Sequence, residues 1–121
     1  MTTSTRLPIV GTKFRGAHAE MILGMLPLGT RLTLQSEPEN RFDPNAKAVV
    51  LAQSDLDSET LGSMKEALLR TADENGRWHL GYIPRTAAAH PKISAIKTDI
   101  PCKFRISPTG IPQVEFEKTG D

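Results

Sequence analysis

The residues Gly11-Thr12-Lys13-Phe14-Arg15-Gly16 have the form of the first half of a phosphate-binding loop. In such a loop a lysine must follow to neutralise phosphate, and then a hydroxyl to hold magnesium. Ala17 and His18 stand at those places, so nucleotide hydrolysis is not expected here. A second constellation joins His18-Ala19-Glu20 to Pro101-Cys102-Lys103-Phe104-Arg105. Zinc deaminases combine H-x-E with P-C-x-x-C. Arg105 replaces the second thiolate, and His18 with Cys102 falls short of the three protein ligands a catalytic zinc needs. His79 and His90 lack metal-ligand spacing and read as a strand-end histidine and a helix C-terminal histidine, the latter favoured by the helix dipole. Cys102 alternates with Phe104 and Ile106, so it reads as a small buried hydrophobe and not as a nucleophile. With no paired carboxylates and no metal cluster in the sequence, neither an enzyme nor a cofactor is expected.

The elements that would position these residues follow from periodicity and punctuation. Leu7 to Phe14 alternates as a strand, and Gly16 marks a turn. Ala17 to Leu26 reads as a short helix, with Met21 and Met25, and Ile22 and Leu26, at i,i+4. Gly24 within it costs about 1 kcal/mol relative to alanine, so that helix needs tertiary support. Thr30 to Gln35 is a second strand. The stretch from Glu37 to Asn45 holds two prolines and two asparagines and must be a loop. Phe42 within it is a large aromatic among polar neighbours: either a surface used for binding or a plug beneath the loop. Asp43 and Asn45 could equally form side-chain turns. Ala46 to Ala52 is a continuous apolar run, as in a strand buried on both faces. The segment 53–77 reads as an inserted linker and a helix of about three turns, with Leu61, Met64, Leu68 and Ala72 on one stripe. Its sequence Ser63-Met64-Lys65-Glu66 fits a capping box. Trp78 to Ile83 returns to strand. Pro84 suits the first turn of a short helix over 85–89, stopped by Pro91. At the C-terminal end, 102–106 and 114–117 alternate as a hairpin turning near Gly110. Its buried face would be Phe104, Ile106, Val114 and Phe116, with Arg105 opposite Glu115 and Lys103 opposite Glu117.

Together these elements predict a mainly β fold: a small OB-like antiparallel β-barrel of about six strands with two or three short helices. Residues 1–6 are expected to be a flexible N-terminal tail, and 7–118 a single domain with the helical insertion at about 53–77. The 121 residues include 15 Lys+Arg against 14 Asp+Glu, a formal net charge of +1. That balance excludes coating of nucleic acid by bulk charge and leaves only a local site with few phosphates. One cysteine cannot form an internal disulfide, which fits a reducing cytoplasmic location. No apolar run approaches the ~20 residues of a membrane helix, and no membrane partner is expected.

Three segments in order carry a resemblance. They are Val10-Gly11-Thr12-Lys13-Phe14-Arg15-Gly16, then Glu37-Pro38-Glu39-Asn40-Arg41-Phe42-Asp43-Pro44-Asn45-Ala46, then Leu80-Gly81-Tyr82-Ile83-Pro84-Arg85. Over roughly residues 7–52 and 78–106 the chain resembles the HIRAN domain family. The resemblance implies an OB-like barrel and a non-catalytic module that captures single-stranded DNA at 3′-hydroxyl ends, in the service of DNA repair or replication. By motif match, Lys13, Phe14, Asn40, Phe42, Asp43, Tyr82, Ile83 and Arg85 would form the DNA site. A DNA-processing enzyme is a further partner that it implies. The residue types suit this. Phe14, Phe42 and Tyr82 are three of the six aromatics, and a base stacked on an aromatic gains roughly 1–3 kcal/mol. Lys13 and Arg85 can hold phosphates, while Asp43 would accept a hydrogen bond from a terminal hydroxyl and repel an internal phosphodiester. Phe14 and Phe42 stand where tyrosine is common in the family, and Glu39 where an amide is. The insertion lies outside the resemblance. It supports the alternative of a protein–protein adaptor that uses the inserted helix without binding DNA.

Overall fold

A computed structural model describes residues 2–119. Six strands form one antiparallel sheet in the order β1-β6-β5-β2-β3-β4. They are β1 (Thr2–Pro8), β2 (Arg31–Ser36), β3 (Lys47–Ala52), β4 (Arg77–Tyr82), β5 (Ile100–Ile106) and β6 (Pro112–Thr119). Five short helices lie between them: α1 (Ala17–Met25), α2 (Ser58–Ser63), α3 (Glu66–Leu69), α4 (Arg85–Ala88) and α5 (Pro91–Ser94). The mainly β expectation holds. The closed barrel does not, since β1 and β4 stand at opposite ends of the strand order. The segment after β1 touches β4 at a single bridge between Val10 and Tyr82. Five α-helices replace the two or three expected, because the insertion helix is broken in two and Pro91, read as a helix stop, instead begins α5.

The expected N-terminal tail is a strand. Residues from Thr2 to Pro8 pair in register with β6, from Thr2 opposite Thr119 to Pro8 opposite Gln113. Met1 lies outside the described residues. The strand expected over 7–14 ends at Pro8 because Gly11 takes a left-handed φ of 73° and starts a 3₁₀ turn over Thr12–Phe14. Threonine-rich β-branched sequence suits the ladder before that break.

Helix α1 covers the expected residues but turns a different stripe inward. Ala19, Ile22, Leu23 and Leu26 are buried, at i, i+3, i+4 and i+7, while Met21 is exposed. Strand β3 is buried on both faces as its apolar run requires. In the insertion, the helix expected over 61–72 splits at Met64, whose ψ of 132° is extended. Gly62 and Ser63 are weak helix formers there, and Ser63 Oγ donates back to the Thr60 carbonyl. The capping box is not used: α2 is capped by Asp57, which accepts from Thr60 N, and α3 has no side-chain cap. Met64 and Leu68 belong to the central core with Trp78, and Trp78 Nε1 donates to Thr71 Oγ1. The insertion is therefore part of the core.

The C-terminal hairpin forms, with Phe104, Val114 and Phe116 buried. Its register differs by two residues from the expected one: Lys103 stands opposite Glu115 and Arg105 opposite Gln113. The turn is centred one residue before Gly110, with Ser107 N donating to the Ile111 carbonyl and Gly110 N to the Ser107 carbonyl. Ile106 consequently sits at the hairpin end and is 43% exposed. Lys103 is exposed, and Arg105 is half-buried because it reaches diagonally to Glu115 at 3.0 Å. His90 is an N-cap for α5, accepting from Lys92 N, and His79 lies within β4. Among the described residues no helix is long and apolar enough to cross a membrane.

Candidate nucleic-acid interface

The loop between β2 and β3 is built by its own polar side chains. Asn40 Oδ1 accepts from the amides of Phe42 and Asp43, at 2.9 and 3.1 Å. Asp43 Oδ1 accepts from Asn45 N at 2.9 Å, closing a side-chain turn. Glu37 N donates to the Ala46 carbonyl, which pins the loop ends together. At the tip of this ordered frame Phe42 is 87% exposed. It is not a plug. Such a ring keeps its apolar face in water, although the backbone beneath it is fully engaged.

Strand β4 and the first residue of α4 supply the opposite wall. Arg85 Nη2 donates to the Phe42 carbonyl at 3.0 Å, and its Nε lies 3.9 Å from Asp43 Oδ2. Tyr82 Oη donates to Glu37 Oε1 at 2.9 Å. The result is a cleft of about 300 Å³ lined by Val10, Asn40, Phe42, Asp43, Tyr82 and Arg85 among others. Ile83 lines it too, but as floor, because its side chain is buried. Asn40 lines it with both polar atoms already used internally, so it shapes the loop and has little left to offer a ligand.

Lys13 and Phe14 lie elsewhere. They line an adjoining groove of about 610 Å³ with Ile9, Leu23, Gly24 and Ile106, and Val10 is common to both depressions. Phe14 is 89% exposed. The sequence-derived set thus falls on two neighbouring hollows that meet at Val10, six residues in one and two in the other.

Sequence reasoning missed the group that ties this wall together. Glu37 Oε1 accepts from both Asn40 Nδ2 and Tyr82 Oη, and Glu37 Oε2 faces His79 Nε2 at 3.9 Å. The His79 and Tyr82 rings meet edge-on with centroids 5.1 Å apart. Burial, and then the Arg15 charge, hold the His79 imidazole below its ordinary pKa. Burial raises the Tyr82 phenol, helped by its bond to Glu37. The three-residue spacing of Glu37 and Asn40 across Pro38 was a usable local signal. His79 offered none, since only the β3–β4 register brings it there.

No family model, no curated protein and no solved structure matches this chain.

Cys102 is buried, and burial pushes its thiol up to about 12. Among the described residues no group of three His, Cys, Asp or Glu side chains could hold a metal ion.

Proposed function

We propose that this protein is a non-catalytic single-stranded DNA-binding module that prefers 3′-hydroxyl ends. The observation that carries the reading is Phe42, an exposed ring on a loop whose backbone is locked by Asn40, beside an acid and an arginine in one cleft. A base gains by stacking on such a ring whatever its identity. Asp43 Oδ2 has no hydrogen bond among the described residues, so it is free to accept one from a terminal hydroxyl. A phosphate at the same place would meet a carboxylate. Arg85 lies at the rim, suited to the next phosphate inward. Support also comes from the motif resemblance to the HIRAN family, whose three segments contribute to these two hollows. An OB-like arrangement belongs to the same proposal; its support is the Val10–Tyr82 bridge, which joins the segment after β1 to β4. So do a cytoplasmic setting and a DNA-processing enzyme as partner.

The adaptor reading has less support, because the insertion turns Met64 and Leu68 into the core and leaves little apolar surface to offer a partner. The deciding test is fluorescence anisotropy with a short oligonucleotide carrying either a 3′-hydroxyl or a 3′-phosphate. Tighter binding of the hydroxyl end is expected. Equal affinity for the two ends would reject end capture, and no binding at low salt would reject the DNA reading altogether.

A further inference from the structure

Helix α1 carries a glycine that the fold does not require. Gly24 stands in the last turn of Ala17–Met25 without a positive φ, and the helix ends beyond it on Leu26, whose ψ of 133° is extended. Gly24 is therefore not a left-handed cap. A Cβ built on it would meet no atom within 4 Å, so no neighbour needs the bare backbone. A glycine within a helix costs about 1 kcal/mol relative to alanine. Alanine would fit here and stabilise the helix, so what the missing side chain changes is the space beside α1.

That space is the groove of about 610 Å³ that Phe14 borders. Helix α1 supplies one side of it through Glu20, Leu23 and Gly24. Glu20 and Gly24 lie one turn apart on the same helix face. Ile9, Leu23 and Leu26 are buried and form the floor, while Val10 and Ile106 are half-exposed at the rim beside the bare Phe14 ring. The groove has about twice the volume of the Phe42 cleft and meets it at Val10. Its lining is mostly apolar, which suits a flat ring better than a phosphate, and Lys13 at its border can hold the charged backbone such a ring would bring. A nucleobase of the strand held at Phe42 has this chemistry, and Val10 makes its path continuous.

Resting on the single-strand reading, we propose that Gly24 is the residue that admits a second nucleobase: its missing side chain leaves room for a base stacked on Phe14 to lie against α1. Gly24 falls in none of the three motif segments, so the resemblance does not assign it. A side chain placed there would stand in the base's room and would touch neither Phe14 nor any other residue on its first carbon. The fold and the ligand therefore make opposite demands at this one position.

The test compares the wild type, Gly24→Ala and Gly24→Leu. Both substitutions put a strong helix former at an unobstructed site, so both should melt at the wild-type temperature or a few degrees above it. Binding is read by anisotropy with 3′-hydroxyl oligothymidine of about eight nucleotides, and with the same strand carrying one abasic residue moved stepwise from the 3′ end. The wild type is expected to lose affinity at two abasic positions, one for each ring, by roughly 5- to 150-fold each. Gly24→Leu should weaken the intact strand by a similar factor and remain sensitive at only one position, with Gly24→Ala between the two. If Gly24→Leu binds like the wild type, or weakens binding but keeps both sensitive positions, the proposal is overturned and the DNA reading stands. A wild type sensitive at a single position has the same meaning. Absence of wild-type binding at low salt overturns both.

Discussion

Phe42 is held by bonds that do not involve its ring. The amides of Phe42 and Asp43 are both given to Asn40, and the Phe42 carbonyl accepts from Arg85. A ring presented on a fixed backbone gives up little entropy when a base stacks on it, so more of the contact appears as affinity. Phe42→Ala should therefore weaken single-strand binding by roughly 1–3 kcal/mol while leaving the melting temperature nearly unchanged, since the exposed ring packs on little. Asp43→Asn separates charge from shape. An amide oxygen can still accept from Asn45 N, so the turn survives, but the negative charge is gone. The preference for a 3′-hydroxyl over a 3′-phosphate should narrow, mostly through a gain for the phosphate end. Anisotropy with the two ends and three proteins reads both effects, and an unchanged preference in Asp43→Asn would remove that carboxylate from end selection. At this scale the sequence was informative where partners are close along the chain. Asn40, Phe42 and Asp43 share one loop, and Tyr82, Ile83 and Arg85 share one strand end. The contacts of Glu37 with His79 and Tyr82 were not legible, because they are set by which residues of β4 face it.

Element placement turns on β4. Gly81 has φ 155°, and a Cβ there would lie 2.6 Å from the Val10 carbonyl oxygen and 2.9 Å from Ile9 Cγ2. Backbone cannot yield to that contact as a side-chain tip can. Only glycine lets the chain after β1 reach Tyr82 and make its two bonds, Val10 N to the Tyr82 carbonyl and Tyr82 N to the Val10 carbonyl, both 2.8 Å. Gly81→Ala should cost about 1–3 kcal/mol of stability. Amide exchange should rise at Val10 and Tyr82 first; exchange that rises uniformly across the sheet would show that the bridge is not the site of strain. The strands were legible because their alternation and turn residues are local signals. The bridge was not, since nothing at Val10 marks a partner some seventy residues away. The insertion is a related case. Its apolar stripe gave the inward residues Met64 and Leu68 correctly, but not that they complete the core under Trp78. Replacing 53–77 by a short Gly/Ser linker should therefore abolish cooperative unfolding. The milder Met64→Ala and Leu68→Ala should each cost about 2–5 kcal/mol. Retention of a sharp urea transition in the deletion would show that the sheet is sufficient alone.

Over the whole molecule, protonation ties these parts to stability. Glu115 accepts from Arg6 at 2.8 Å and Arg105 at 3.0 Å, joining β1, β6 and β5, and these bonds hold its carboxyl down to about 2 from an ordinary 4.5. A lowered carboxylate pKa adds stability that is complete above the unfolded value and fades as pH falls toward the folded one. Asp57, at the start of α2, is lowered by Thr60, first through its side chain and then through its N–H, and acts in the same direction. His79 also has a lowered folded pKa, but as a base: the unfolded chain takes up its proton near 6.5 while the folded chain resists. Its stabilisation is complete above 6.5 and fades below it. The acid side should therefore show two limbs, a first below pH 6.5 from His79 and a second between about 4.5 and 2 from the carboxylates. Lys47 acts on the alkaline side. Burial lowers its ammonium pKa, and Nζ is left with the Ser36 hydroxyl and the Ile96 carbonyl as acceptors. Its folded state disfavours the proton that the unfolded chain holds below 10.5, so this lysine makes folding easier as pH rises. Cys102 opposes it, because the unfolded thiol ionises above 9 while the folded one waits until about 12. Urea midpoints measured from pH 3 to 10 can separate these groups. Arg105→Gln should flatten the lower acid limb, and Arg15→Gln should shrink the upper one by letting His79 protonate more readily in the fold. If the upper limb is the same in Arg15→Gln as in the wild type, the charge of Arg15 does not reach His79, and burial alone holds that imidazole neutral.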